Sequence, residues 1–132
     1  MTDTIEGRRN LGFALMGEMM GQQFADGARA KYEAGGFAAD LVDIGARNAF
    51  AEAWGRPGLD RRSRSLFTLG ILFTLGFARE TKYHVNIALE NGLTQTEIEE
   101  LIYQALVYAG YPAASQGATA IEEVFRERGL IK

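Results

Sequence analysis

The chain contains no cysteine and a single histidine, His84. Without a thiol there is no disulfide, thiolate metal site, cysteine nucleophile or dithiol redox centre. One imidazole leaves only carboxylates as further side-chain ligands, a poor set for a transition metal. Proline is scarce too, with two residues against sixteen glycines. Few prolines permit long helices, and many glycines let helices approach closely. Net positive charge is lacking: fourteen Lys and Arg against seventeen Asp and Glu leave a formal charge of −3. That balance argues against nucleic acid as the main partner. The longest apolar stretch, Leu66 to Phe77, is interrupted by Thr and Gly and is too short to span a bilayer. The opening MTDTIEGRRN has no apolar core of the secretory kind. The expectation is a soluble, cytoplasmic protein with no membrane partner.

What is present is ordinary globular material. Of 132 residues, 47% are apolar and 23% charged, which predicts one domain over residues 1–132 and excludes a wholly disordered chain. Helical periodicity dominates. Thr94 and Glu97 have capping-box spacing, and Ile98, Leu101, Ile102, Ala105 and Ala109 then keep to one helix face. Gly110 ends that helix and Pro112 opens another, which runs to about Arg128. Pro57 to Asp60 reads as a turn ending in an N-cap. The helix that follows, Arg61 to about Phe77, is apolar almost all round, which demands burial on every side and points to a subunit interface. A helix over Glu80–Glu90 closes on Asn91-Gly92. Another spans Phe37 to Trp54, with Leu41, Ile44, Ala49 and Trp54 among its apolar positions. Residues 5–33 are helical, as one broken helix or two, with Met16, Met19 and Met20 as core or interface. No β alternation is visible, so the predicted class is all-α.

Few residues can carry chemistry. Glu80 precedes His84 by four positions, on the same helix face. A carboxylate beside an imidazole fixes its tautomer and raises its pKa, as a general acid or base near neutrality requires. The same spacing is common on solvated helices. Arg61, Arg62 and Arg64 form the densest positive charge, at a helix start where cations are unfavourable to the dipole. They read equally as a solvated face or as an anion site, since an arginine fork matches a carboxylate. Tyr108 and Tyr111 flank the Gly110-Tyr111-Pro112 turn, either as surface-tipped packing residues or as a pocket wall.

Three blocks, GRPGLDRRSRSLFTLG, LGFARETKYH and ALENGLTQTEIEELIYQALVYAGYPAA, resemble the carboxymuconolactone decarboxylase family over about Trp54 to Phe125. The resemblance implies the helical alkylhydroperoxidase-D-like fold in a homo-oligomer, commonly a trimer or hexamer. One branch of that superfamily carries a C-x-x-C-x-x-x-H motif. Phe77 and Glu80 stand at its cysteine positions here, so thiol chemistry is not carried over. The decarboxylase branch has Glu four residues before His, matched by Glu80 and His84, and an Arg-Thr/Ser element, matched by Arg64-Ser65. Arg79-Glu80 is retained, whereas the loop before it departs from the family pattern and Ser115 stands where the family often has Asn. The resemblance implies a catalytic set of His84, Glu80 and Arg64, with Arg79, Ser65, Tyr108, Tyr111 and Ser115 at the substrate. The implied reaction is decarboxylation of a small carboxylated unsaturated lactone, such as 4-carboxymuconolactone, in aromatic-compound catabolism. Such a lactone is its own electron sink, so no cofactor and no metal are required. Two alternatives stay open: another acid–base enzyme on this scaffold (isomerase, cyclase or hydrolase), and a non-catalytic binding or assembly protein.

Overall fold

The Thr4 hydroxyl accepts a hydrogen bond from the Gly7 N–H at 2.9 Å and so caps the first helix. In this computed structural model, which describes residues 3–132, every regular element is helical. The all-α expectation holds. Contacts divide the chain into two compact units, Met1–Leu59 and Asp60–Lys132.

The first unit contains α1 (Ile5–Met20), α2 (Gln22–Ala34), α3 (Ala39–Gly45) and a π-helical segment, Ala46–Trp54. Gly21, at φ 96°, lies in the left-handed region and separates α1 from α2. Residues 5–33 therefore form two helices. Phe13, Met16, Ala25 and Ala46 make the buried cluster. At Gly12 a Cβ would collide with the Ala46 carbonyl, so only glycine lets α1 lie directly on the π-helical segment.

The spacing-based helix from Phe37 to Trp54 needs correction. Its α-helical part starts only at Ala39, and Phe37, Leu41 and Ile44 are exposed. The buried positions are Ala39, Asp43, Ala46 and Ala51. Close approach of α1 selects small side chains there, which apolar periodicity alone does not detect. Buried Asp43 is neutralised from two sides, by Arg9 at 2.6 Å and Arg47 at 3.0 Å. Hydrogen bonding to Arg9 holds its carboxyl below the usual carboxylate range, against the opposing effect of burial.

The second unit contains α4 (Arg61–Leu75), α5 (Ala78–Glu90), α6 (Gln95–Ala109) and α7 (Tyr111–Glu127). Asp60 caps α4 by accepting from the Ser63 N–H at 2.7 Å. Gly76, at φ 74°, stops α4 two residues before the expected Phe77 and turns the chain back into α5. The Thr94–Glu97 capping box forms in both directions, and Pro112 sits in the first turn of α7. Leu69, Phe73, Val85, Ile98, Ile121 and Val124 fill the core of this unit. Only one face of α4 is covered within its own unit. Phe67 is 71% exposed and Leu75 57%, so the all-round burial expected of Leu66–Phe77 is not supplied by the other helices of that unit. No helix among the described residues is long and apolar enough to cross a membrane.

Candidate active site

Helix α5 carries three of the expected site residues in its first two turns. Phe77 provides no side-chain cap. Instead Thr81, itself buried, donates its hydroxyl to the Phe77 carbonyl at 2.8 Å and ties down the helix start. Thr81, Val85, Ile87 and Ala88 are buried, and His84 shares their arc of the helix. The imidazole is half-buried and its Nδ1 atom is shielded from water.

This burial corrects one expectation. Glu80 does draw the His84 pKa upward, but burial acts more strongly, and the net effect holds the imidazole below its ordinary value. Glu80 itself is turned toward its neighbour. Arg79 donates to it through Nε at 3.0 Å and Nη2 at 2.9 Å, a fork-to-fork pair. The Arg79 hydrogen bonds keep the Glu80 carboxyl below the usual range, with charge attraction to Arg79 and His84 acting in the same direction. Glu80 is therefore ionised, with its charge shared between a guanidinium and an imidazole.

Arg64 and Ser65 begin α4 but are not equivalent. Arg64 is half-buried, whereas Ser65 is fully buried. The Ser65 hydroxyl accepts a hydrogen bond from Asn91 Nδ2 at 2.9 Å. That bond joins the start of α4 to the end of α5 and sets their antiparallel register. Asn91 was legible only as a helix cap, because nothing in the sequence pairs it with Ser65. In this register His84 lies seven residues back from Asn91, roughly 10 Å of helix rise from the level of Ser65. Arg79, Glu80 and His84 are thus grouped on one helix end, and Arg64 stands two turns away along the hairpin.

The remaining expected residues lie elsewhere. Tyr108 is 83% exposed, and Tyr111 and Ser115 are exposed on the start of α7. Tyr108 lines a cavity of about 540 Å³ between α4 and α6, together with Phe67, Ile71, Leu75, Leu101 and Gln104. Neither His84, Glu80 nor Arg64 lines that cavity. It is an apolar groove, and the titratable groups sit on a different part of the unit. Among the described residues, no group of three or more His, Asp or Glu is placed to hold a metal ion.

The pattern of the carboxymuconolactone decarboxylase family matches residues 40–123. A 4-carboxymuconolactone decarboxylase from Acinetobacter baylyi is 34% identical over 125 residues, covering 95% of this chain and 92% of the relative. A nitrosuccinic acid decarboxylase from Metarhizium robertsii is 35% identical over 79 residues, covering 60% of this chain and 55% of the relative.

Proposed function

This chain belongs to the carboxymuconolactone decarboxylase family, and from that premise we propose that it is a carboxy-lyase acting on a small carboxylated unsaturated lactone such as 4-carboxymuconolactone. The single observation that carries the proposal is the grouping of Arg79, Glu80 and half-buried His84 at one end of α5. A relative aligned over 95% of the chain and named for that substrate supports it. The second relative is named for nitrosuccinic acid. A nitro group, like an unsaturated lactone, can take up the electron pair left behind by CO₂. Either acid carries its own electron sink, and the protein needs to supply only binding, charge stabilisation and a proton.

The roles follow from the chemistry of each group. Arg79 offers a fork to a substrate carboxylate or to the lactone oxygen on which charge develops. Arg64 serves as a second anion holder farther along the hairpin. Breaking the carbon–carboxyl bond releases CO₂ and leaves its electron pair delocalised through the double bond to the lactone carbonyl. His84 then donates a proton to carbon, with Glu80 stabilising the imidazolium form. Tyr108, Tyr111 and Ser115 belong to the substrate enclosure, completed by a neighbouring subunit. Ser65 acts behind Arg64 by holding the register with Asn91.

We also propose that the two units act as one family domain in a homo-oligomer, a trimer or hexamer. The family match crosses from the first unit into the second, and the uncovered apolar face of α4 requires a partner surface. The decisive assay supplies 4-carboxymuconolactone and follows CO₂ and the decarboxylated lactone together. One CO₂ per substrate consumed is expected. Substrate conversion without CO₂ would instead favour an isomerase or hydrolase on this scaffold.

A further inference from the structure

Arg79 and Glu80 are adjacent on α5. Neighbouring helical side chains diverge by about 100° and do not ordinarily face each other. Here both curl together until the guanidinium engages both carboxylate oxygens, at 2.9 and 3.0 Å. A helical Glu is otherwise well placed to meet the residue four positions on, which is His84. The fork competes with that encounter, and it neutralises part of the charge that acts on the imidazole. Arg79 is also 80% exposed, and exposed ion pairs contribute little net stability. An incoming carboxylate offers the same bidentate partner and can displace Glu80 at small cost.

We propose that Arg79 is a clamp on Glu80 which a substrate carboxylate opens, and that the released Glu80 then draws a proton from solvent onto His84. The proposal rests on Arg79 meeting the substrate carboxylate, as assigned above. The balance is simple. One carboxylate replaces another on Arg79, one proton leaves bulk water, and neutral imidazole becomes imidazolium. Without substrate, burial favours the neutral ring. With substrate, the proton that the reaction must deliver to carbon is loaded. The device ties the acid form of His84 to occupancy of the site.

The other charges on the elements packed around α5 are already engaged or lie at its far end. From α7, Glu123 and Glu127 both reach Lys82. Glu90 at the end of α5 accepts from Arg128. From α4, Arg62 pairs with Glu97 of α6, and Arg61 and Arg64 sit in the first turn, remote from Glu80 in the hairpin register. Glu80 is a charge that acts on the His84 ring and raises its pKa.

Because His84 is the only histidine, its ring resonances can be followed by NMR without ambiguity. The probe is a saturated γ-lactone carboxylate, which lacks the double bond and cannot lose CO₂ through it. In the wild-type protein, saturating probe is expected to raise the His84 titration midpoint by roughly 0.5–1 pH unit. Calorimetry in buffers of different ionisation enthalpy should show proton uptake on binding near neutral pH. Arg79→Gln, with no probe, should already show the raised midpoint. Arg79→Lys separates a clamp from a simple charge effect. Lys keeps the charge but cannot fork, so its midpoint should move toward that of Arg79→Gln. Two outcomes overturn the clamp: bound probe with an unmoved midpoint, or an Arg79→Lys midpoint equal to wild type. Both can occur in a protein that still releases CO₂ from 4-carboxymuconolactone, so failure of the clamp is distinguishable from failure of the decarboxylase assignment.

Discussion

His84 is the proposed proton donor, and its environment sets two separate pH dependences. Replacing it by Gln keeps much of the volume but removes the titrating group. Turnover of 4-carboxymuconolactone should fall on the order of 10²–10⁴-fold, while circular dichroism and assembly stay unchanged. Glu80→Gln should cost less activity and move the basic limb of the rate profile to lower pH, because the charge that favours imidazolium is lost. The second dependence concerns stability. Burial lowers the folded-state pKa of His84, so the unfolded chain binds the proton more readily. Stability from this group is complete above the ordinary imidazole value, about 6.5, and is lost as pH falls through that value toward the folded one. Urea unfolding followed from pH 7.5 to 5 should show this decline in wild type, and His84→Gln should remove it. Asp43 has the lowered pKa usual for a paired carboxylate. Its contribution is present above the ordinary Asp value, about 3.9, and vanishes only in stronger acid. Asp43→Asn should therefore flatten the unfolding profile below pH 4 and leave the His84 window unaltered. Arg64 has a kinetic test: if it holds a carboxylate, Arg64→Ala should lower kcat/KM by an amount equivalent to about 2–4 kcal/mol, with Lys restoring only part.

Close approaches at glycine add to the packing of large apolar side chains in holding the helices of this chain. In α7, a Cβ at Gly117 would stand 3.0 Å from the ring of Phe73, which is itself buried in the core of the second unit. Gly117→Ala must push that ring by a few tenths of an ångström. A loss of about 1–3 kcal/mol is expected, read as a lowered urea midpoint with unchanged slope. The capping box at the start of α6 gives a smaller, cleaner effect. Thr94→Ala removes the bond to the Glu97 N–H at 3.1 Å and should cost about 1 kcal/mol.

At the scale of the whole molecule, the uncovered face of α4 carries the argument. Phe67, Ile71 and Leu75 repeat at helical spacing on its exposed side, and across the groove α6 presents Val107 and Tyr108 to solvent. Apolar surface of that extent is unusual on a monomer, and a closed oligomer would bury it in a repeated interface. Sedimentation equilibrium at micromolar protein should give a trimer or hexamer. Phe67→Glu should dissociate it, since a carboxylate in the interface is unpaired and desolvated. A stable, folded monomer of the unaltered chain at that concentration would contradict the assembly.

The sequence by itself determined the class, most helix ends and the family. Those features are local: a capping box spans four residues, a left-handed glycine marks its own turn, and the Glu80–His84 spacing is written on a single helix. It also predicted that α4 has more apolar surface than one small subunit can cover. Only the tertiary structure decided which partners the polar groups take. The resemblance implies Ser65 at the substrate, and the structure adds that its hydroxyl accepts a hydrogen bond from Asn91, twenty-six positions away. Leu41 and Ile44 are apolar positions of the helix expected from Phe37 to Trp54, yet small residues and Asp43 are buried instead, because α1 approaches at Gly12 and two arginines neutralise the acid. The sign of the His84 shift was hidden for the same reason. A neighbouring carboxylate can be read from spacing, whereas desolvation depends on everything that packs over the ring, and here desolvation is the larger effect.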